Sequence, residues 1–238
     1  MKIGQYALLL IYTTLYLISC TPTKKSYTLN DAQKVSLIQR LEVIAETDQL
    51  YRKMISIGTM DTAILAKDAY LRKKRDVRAY IAFTKTIKKT LTPNQIDSLT
   101  ALQDEIDYQN YQSIKSIIKE YGYPSRERLG LEKELIYLVL LHPPAKIKPR
   151  DYLEEMVTLL TPEVKAQRMD ALDLASFYDN IKIKVMGETQ LYGTNRSFNT
   201  RTMTEGLPAI QDITVTNKAR KAIGLVPLKE GEYQLQNQ

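Results

Sequence analysis

One cysteine, Cys20, and one histidine, His142, are all that the 238 residues hold of these two metal-ligating types. A single cysteine excludes an intrachain disulfide, and a single histidine excludes a multi-histidine metal site. Also missing are the phosphate-cradling GxxxxGK(S/T), a GxGxxG after a strand, a GxSxG elbow, an HExxH pair and a DxDxDG calcium loop. No stretch reaches the roughly 20 apolar residues that cross a bilayer. These absences remove the familiar nucleotide-binding, serine-hydrolase and metalloprotease signatures, and neither metal nor cofactor is expected.

What is present begins at the N-terminus. Lys2 is the only charge before Cys20, and Ala7 to Ile18 is apolar apart from Thr13 and Thr14. A short apolar core ending at small residues reads as a secretory signal. Leu17-Ile18-Ser19-Cys20 resembles the bacterial lipobox, with leucine at minus three, small Ser19 at minus one and the lipidated cysteine at Cys20. The resemblance implies cleavage before Cys20 and acylation of its thiol, which leaves the mature chain without a free thiol. Several acyl chains hold a protein on a membrane lastingly, where one does so only marginally. The expected organisation is a signal peptide over 1–19, a lipidated N-terminus and tether over 20–30, and a single helical domain over 31–238. No acidic residue follows Thr21 closely, which points to the periplasmic face of the outer membrane; the inner membrane and the cell surface are the alternatives.

The body is helical in pattern. Val35, Ile38, Leu41, Ile44, Tyr51 and Ile55 follow spacings of three and four, predicting one long helix from Asp31. Ile64, Leu71, Tyr80 and Ile81 suggest a second. Thr92-Pro93-Asn94-Gln95 is a capping box with proline at the first helical position, and Gly122 is placed to end that helix. Leu131 to His142 predicts a central apolar helix stopped by Pro143-Pro144, and Thr161-Pro162 predicts another helix start. Ile181-Lys182-Ile183-Lys184-Val185 alternates as a strand does, with Gln190-Leu191-Tyr192 as its return. Thr194 to Pro208 reads as a long loop, and Thr214–Ile223 as a last helix before Gly224. The fold class expected is mainly α, a single multi-helix domain with a small β-hairpin near the C-terminus.

The net charge of +7 raises a nucleic-acid reading, which an envelope location and the lack of an aromatic platform beside Arg72–Arg75 argue against. Attraction to anionic headgroups fits better, and the Arg72–Arg75 run itself reads as a solvated helical face. Asp104, Glu105 and Asp107 read as a solvated helical face.

Asp48-Gln49 with Arg52, Asp107 and Asn110 before Lys119-Glu120-Tyr121-Gly122-Tyr123-Pro124, Leu141-His142, Asp179, Gln190-Leu191-Tyr192-Gly193-Thr194, and Arg220 before Gly224-Leu225 and Pro227-Leu228 follow one another in order. In that order they resemble a bacterial family known only as a domain of unknown function, across about residues 37–232. The resemblance implies a shared fold and brings no activity with it. This chain departs from it at Leu141-His142-Pro143-Pro144, where polar neighbours usually flank the histidine, and at Asn180, where an arginine is usual.

Two functional readings follow. One is a lipid-anchored binding or interaction module, with an envelope protein or a small polar ligand as partner and no nucleic acid. The other is a small hydrolase-like enzyme in which His142 acts as general base, Asp48 orients it, and Arg52 or Tyr192 holds an anionic or sugar-like ligand. Gln49, Gln190, Gly193 and Thr194 are further ligand-binding candidates. Against the enzyme stand three ordinary roles: an Asp48–Arg52 helical ion pair, His142 as a helix C-cap, and Gly193 as a turn residue.

Overall fold

The computed structural model describes residues 28–236. The signal segment, Cys20 and most of the tether therefore lie outside the described residues. The chain is mainly α-helical: α1 (Asp31–Asp48), α2 (Arg52–Ile57), α3 (Thr62–Lys74), α4 (Val77–Thr86), α5 (Pro93–Tyr121), α6 (Arg126–Leu129), α7 (Tyr137–Leu140), α8 (Pro149–Lys165), α9 (Ala171–Asn180) and α10 (Ile213–Ala222). Strands are two residues each. The pair β1 (Phe198–Asn199) and β2 (Thr204–Glu205) is antiparallel, while β3 (Ala209–Ile210) and β4 (Gln234–Leu235) pair in parallel.

Local signals set the helix starts. Asn30 and Gln33 form a reciprocal capping box at α1, and Thr92 with Gln95 forms the second at α5, with Pro93 at its first position. The 29 residues of α5 span about 44 Å at 1.5 Å per residue. Gly122 ends this helix at φ +73, and a Cβ there would lie 2.7 Å from Arg168 Nε and 2.9 Å from Glu163 Oε2. Only glycine fits that turn.

The core joins Leu37, Leu41 and Ile44 of α1 to Ile114, Ile117 and Ile118 of α5, with Met156 and Leu160 of α8 and Phe177 of α9 closing it. The rings of Tyr111, Tyr152 and Phe177 run through it with centroids 5.5 Å and 6.2 Å apart. Tyr152 donates its hydroxyl to the Leu140 carbonyl at 2.8 Å. That bond fixes the end of α7, just before His142.

Several sequence expectations are corrected. The buried stripe of α1 is Leu37, Leu41, Ile44 and Asp48, while Val35 is 57% exposed. The long first helix breaks after Asp48 because the Gln103 side chain takes over its backbone partners. Its Oε1 accepts from the Tyr51 and Arg52 backbone N–H groups, both at 3.1 Å, and its Nε2 donates to the Asp48 carbonyl at 3.0 Å. The second expected helix is two, α3 and α4, split at Arg75 with φ +55. Of Leu131–His142 only Tyr137–Leu140 is helical, and Glu134 is drawn away to accept from the Arg126 N–H. Thr161-Pro162 starts nothing: Pro162 lies near the end of α8, and the Thr161 hydroxyl bonds back to the Val157 carbonyl. Most instructive is Ile181–Val185, which continues α9 as a π-helical turn, with the Met186 N–H reaching the Ile181 carbonyl. Its alternation did not mark a strand, since Ile181 alone is buried. The small antiparallel pair sits instead inside the segment read as a loop, at β1 and β2.

Candidate functional site

The break between α1 and α2 turns three functional side chains toward one place. Asp48 ends α1 almost fully buried, and Arg52 opens α2. His142 follows α7 and reaches Asp48, its Nδ1 2.8 Å from Asp48 Oδ1. With the Asp48 carboxylate as acceptor, the proton of a neutral His142 ring lies on Nδ1, and in that form Nε2 is the acceptor. Gln49 donates to the other Asp48 oxygen at 2.5 Å.

Arg52 is held from behind. Its Nη2 donates to Asp107 Oδ1 at 2.6 Å and lies 3.7 Å from Asp48 Oδ1. Asp107 also accepts from Gln103 at 2.9 Å. Asp107 is thus buried, which corrects its reading as part of a solvated face; the Glu105 beside it does lie outward, paired with Lys146. On α3, buried Asp68 accepts from Arg72 Nε at 2.9 Å, and the Arg72 guanidinium also meets the Tyr80 hydroxyl.

Together Gln49, Arg52, Lys53, Arg72 and His142, with Ser56 and Leu138, wall a cleft of about 310 Å3. Its electrostatics are layered. The carboxylates of Asp48, Asp68 and Asp107 lie behind, at 5% exposure or less, whereas the Arg52 and Arg72 side chains stand 29% and 51% exposed. The face offered to a ligand is cationic, and its geometry is braced by buried acids. Among the described residues no hydroxyl is hydrogen-bonded to His142.

The Gln190–Thr194 candidates lie elsewhere. Asp179, fully buried, accepts from the backbone N–H groups of Leu191, Tyr192 and Thr194 at 2.8, 2.9 and 3.0 Å, and from the Thr194 hydroxyl at 2.8 Å. Gln190 is spent on Asn195 and Ala209 backbone atoms. Gly193 sits at φ +68 with a Cβ position 2.9 Å from Leu228. Tyr192 stacks edge-on against Tyr178 at 5.4 Å, its carbonyl takes the Arg220 guanidinium, and burial pushes its hydroxyl pKa up to about 12. These residues brace the chain against α9 and do not reach the His142 cleft.

A larger cavity, about 800 Å3, lies between α6, α7 and the α8–α9 turn, lined by Glu134, Asp173, Arg126 and Arg168 among others. Its arginines are engaged, Arg168 on Glu163 at 2.5 Å and Arg126 on Glu127 at 2.6 Å. Burial raises the carboxyl pKa of both Glu134 and Asp173; the charges of Asp173 and Glu127 add to the rise at Glu134, and those of Asp170 and Glu127 to the rise at Asp173. In the folded chain such groups hold protons more tightly than in the unfolded one, so their cost is absent at low pH and grows as pH rises past the unfolded value. Glu134→Gln is therefore expected to raise stability near neutral pH and to change little near pH ~4, where glutamate is largely protonated in both states. Urea denaturation at the two pH values checks this; an equal effect at both would show that charge is not the cause.

Gln103, Asp107, Lys53 and Arg72 were not among the residues singled out for the site. A signal for two of them exists: Gln103, Asp107 and Asn110 fall on the same α5 stripe as Leu99 and Ile114, and polar residues on an apolar stripe need buried partners. Arg72 left no such mark within its charged run. Comparison with family models, with curated proteins and with solved structures returned no match.

Proposed function

We propose that this chain is a lipid-anchored cell-envelope protein whose His142 cleft binds a small anionic ligand. The observation that carries the binding reading is the 2.8 Å contact of His142 with buried Asp48 in a wall shared with Arg52, Lys53 and Arg72. Planar guanidiniums braced by carboxylates suit the oxygens of phosphate or carboxylate. Nε2 is then the one ring atom free to accept a proton from the ligand or from water.

The same pair favours the hydrolase-like reading as second. A histidine oriented by a carboxylate is the base half of a hydrolytic site. With no hydroxyl bonded to His142 among the described residues, water rather than a serine would be the group it activates. The resemblance to the uncharacterised bacterial family supports a shared fold and adds no activity.

The anchor part of the proposal is supported by Leu17-Ile18-Ser19-Cys20. The outer membrane's periplasmic face is the placement proposed.

One histidine gives one set of imidazole signals, which makes the test direct. Titrating inorganic phosphate into 15N-histidine-labelled protein is expected to shift the His142 resonances saturably, and Lys53→Gln with Arg72→Gln to weaken that response about tenfold, near 1.4 kcal/mol. No saturable shift would overturn the cleft reading. In cells, Cys20→Ala should abolish fatty-acid labelling and release the protein from membranes; unchanged labelling would overturn the anchor.

A further inference from the structure

The charge of this protein is concentrated in one place. Residues 61–89 hold nine Lys and Arg against three Asp, a net +6 of the chain's +7. All nine cations are exposed. The three acids are used internally: Asp61 and Asp76 cap α3 and α4, and Asp68 is buried against Arg72.

This helical pair adds little to the core. Asp68 is its one buried residue in α3, and α4 has none. Yet its surface is not purely polar. Tyr70 and Val77 stand exposed, and Lys67 and Lys74 lie over the Phe83 and Tyr70 rings at 5.1 and 5.7 Å. Between α4 and the β1–β2 turn runs an open cleft of about 620 Å3 with Arg78, Lys85 and Arg201 beside Ile81 and Met203, and no acidic residue lines it.

We infer that the α3–α4 pair and this cleft form a docking surface for a bilayer of acidic phospholipids. Cations interleaved with tyrosine and aliphatic side chains on an unpacked helix suit the interface, where apolar parts enter the headgroup boundary and long basic chains reach back to phosphate. Each cation near an acidic leaflet strengthens binding about five-fold. A nucleic acid would use the cations and leave Ile81 and Met203 without a role. The choice of a bilayer over other polyanions rests on the lipid-anchored reading: Asn30 stands ten positions after Cys20, at most about 35 Å of chain, which keeps this surface near the membrane.

The test uses residues 21–238, which contain every core residue described above and lack Cys20, so that it stands or falls apart from the anchor and the His142 cleft. Co-sedimentation with vesicles of phosphatidylcholine containing one-third phosphatidylglycerol should exceed that with phosphatidylcholine alone, and should fall as salt is raised. Replacing Lys73, Lys74, Arg78 and Lys85 by Gln should weaken binding about tenfold or more without altering thermal unfolding, because all four are exposed. Tyr70→Ser with Val77→Ser should weaken it further. Equal binding to both vesicles, binding unaffected by the four replacements, or retention on single-stranded nucleic acid with no vesicle binding would each overturn the inference.

Discussion

Asp179→Ala is expected to lower the unfolding free energy by about 3–5 kcal/mol, the largest single loss anticipated for a polar residue here. Asp179 is fully buried on α9 and is the common acceptor for four donors, three of them backbone N–H groups of residues 191–194. Those groups have no alternative partner in the tight turn that Gly193 makes. Leaving a buried donor unsatisfied costs about 1–3 kcal/mol each, reduced where water can enter the space left by the side chain. Thr194→Val removes only the hydroxyl bond and should cost about 1 kcal/mol. Urea titration of the two variants measures the ratio. If Asp179→Ala costs no more than Thr194→Val, the cluster is not what holds this segment to α9. The His142 resonances should be unchanged in the folded Asp179 variant, since the two clusters share no residue.

That separation explains why the sequence joined what the structure keeps apart. Asp48 and Arg52 were legible as a pair one helical turn apart and His142 as the end of an apolar helix, and Tyr192-Gly193-Thr194 looked equally suited to a cleft. Nothing local distinguishes a tyrosine facing a ligand from one whose backbone is clasped by a distant aspartate. The same limit governs the fold. The Thr92 capping box was readable because both partners lie within four residues. The break after Asp48 was not, because its cause, Gln103, lies more than 50 residues away. The turn at Ile181–Val185 shows the converse error: a two-residue alternation satisfied the strand rule over five residues, while continuation from α9 and the Lys182–Glu188 ion pair decided the outcome. Asp107 failed for a third reason. Beside Asp104 and Glu105 it looked solvated, although the helical stripe through Leu99 and Ile114 already pointed it inward.

Asp48→Ala should cost about 2–3 kcal/mol and change the chemistry of His142, and the second effect is the more informative. The energetic loss is held below that of Asp179 because Arg52 keeps Asp107 at 2.6 Å and is partly exposed, so the cation is not stranded in the way that makes broken buried pairs most costly. His142 has no such reserve. Its Nδ1 faces Asp48 alone among the described side chains, and without that acceptor nothing fixes the proton there. The neutral ring should then distribute its proton over both nitrogens, lowering the fraction with Nε2 free to accept. Asp48→Asn separates charge from orientation: its amide oxygen can still accept from Nδ1, so the tautomer should survive while the negative charge is lost. Nitrogen chemical shifts of the single imidazole read the tautomer directly, and the phosphate titration reads the cleft in the same sample. A wild-type tautomer in Asp48→Ala would mean that Asp48 does not orient His142, and the base role would fall with it. A changed tautomer in Asp48→Ala alone, with phosphate still bound, would assign anion recognition to the arginines and lysine and proton handling to the Asp48–His142 pair.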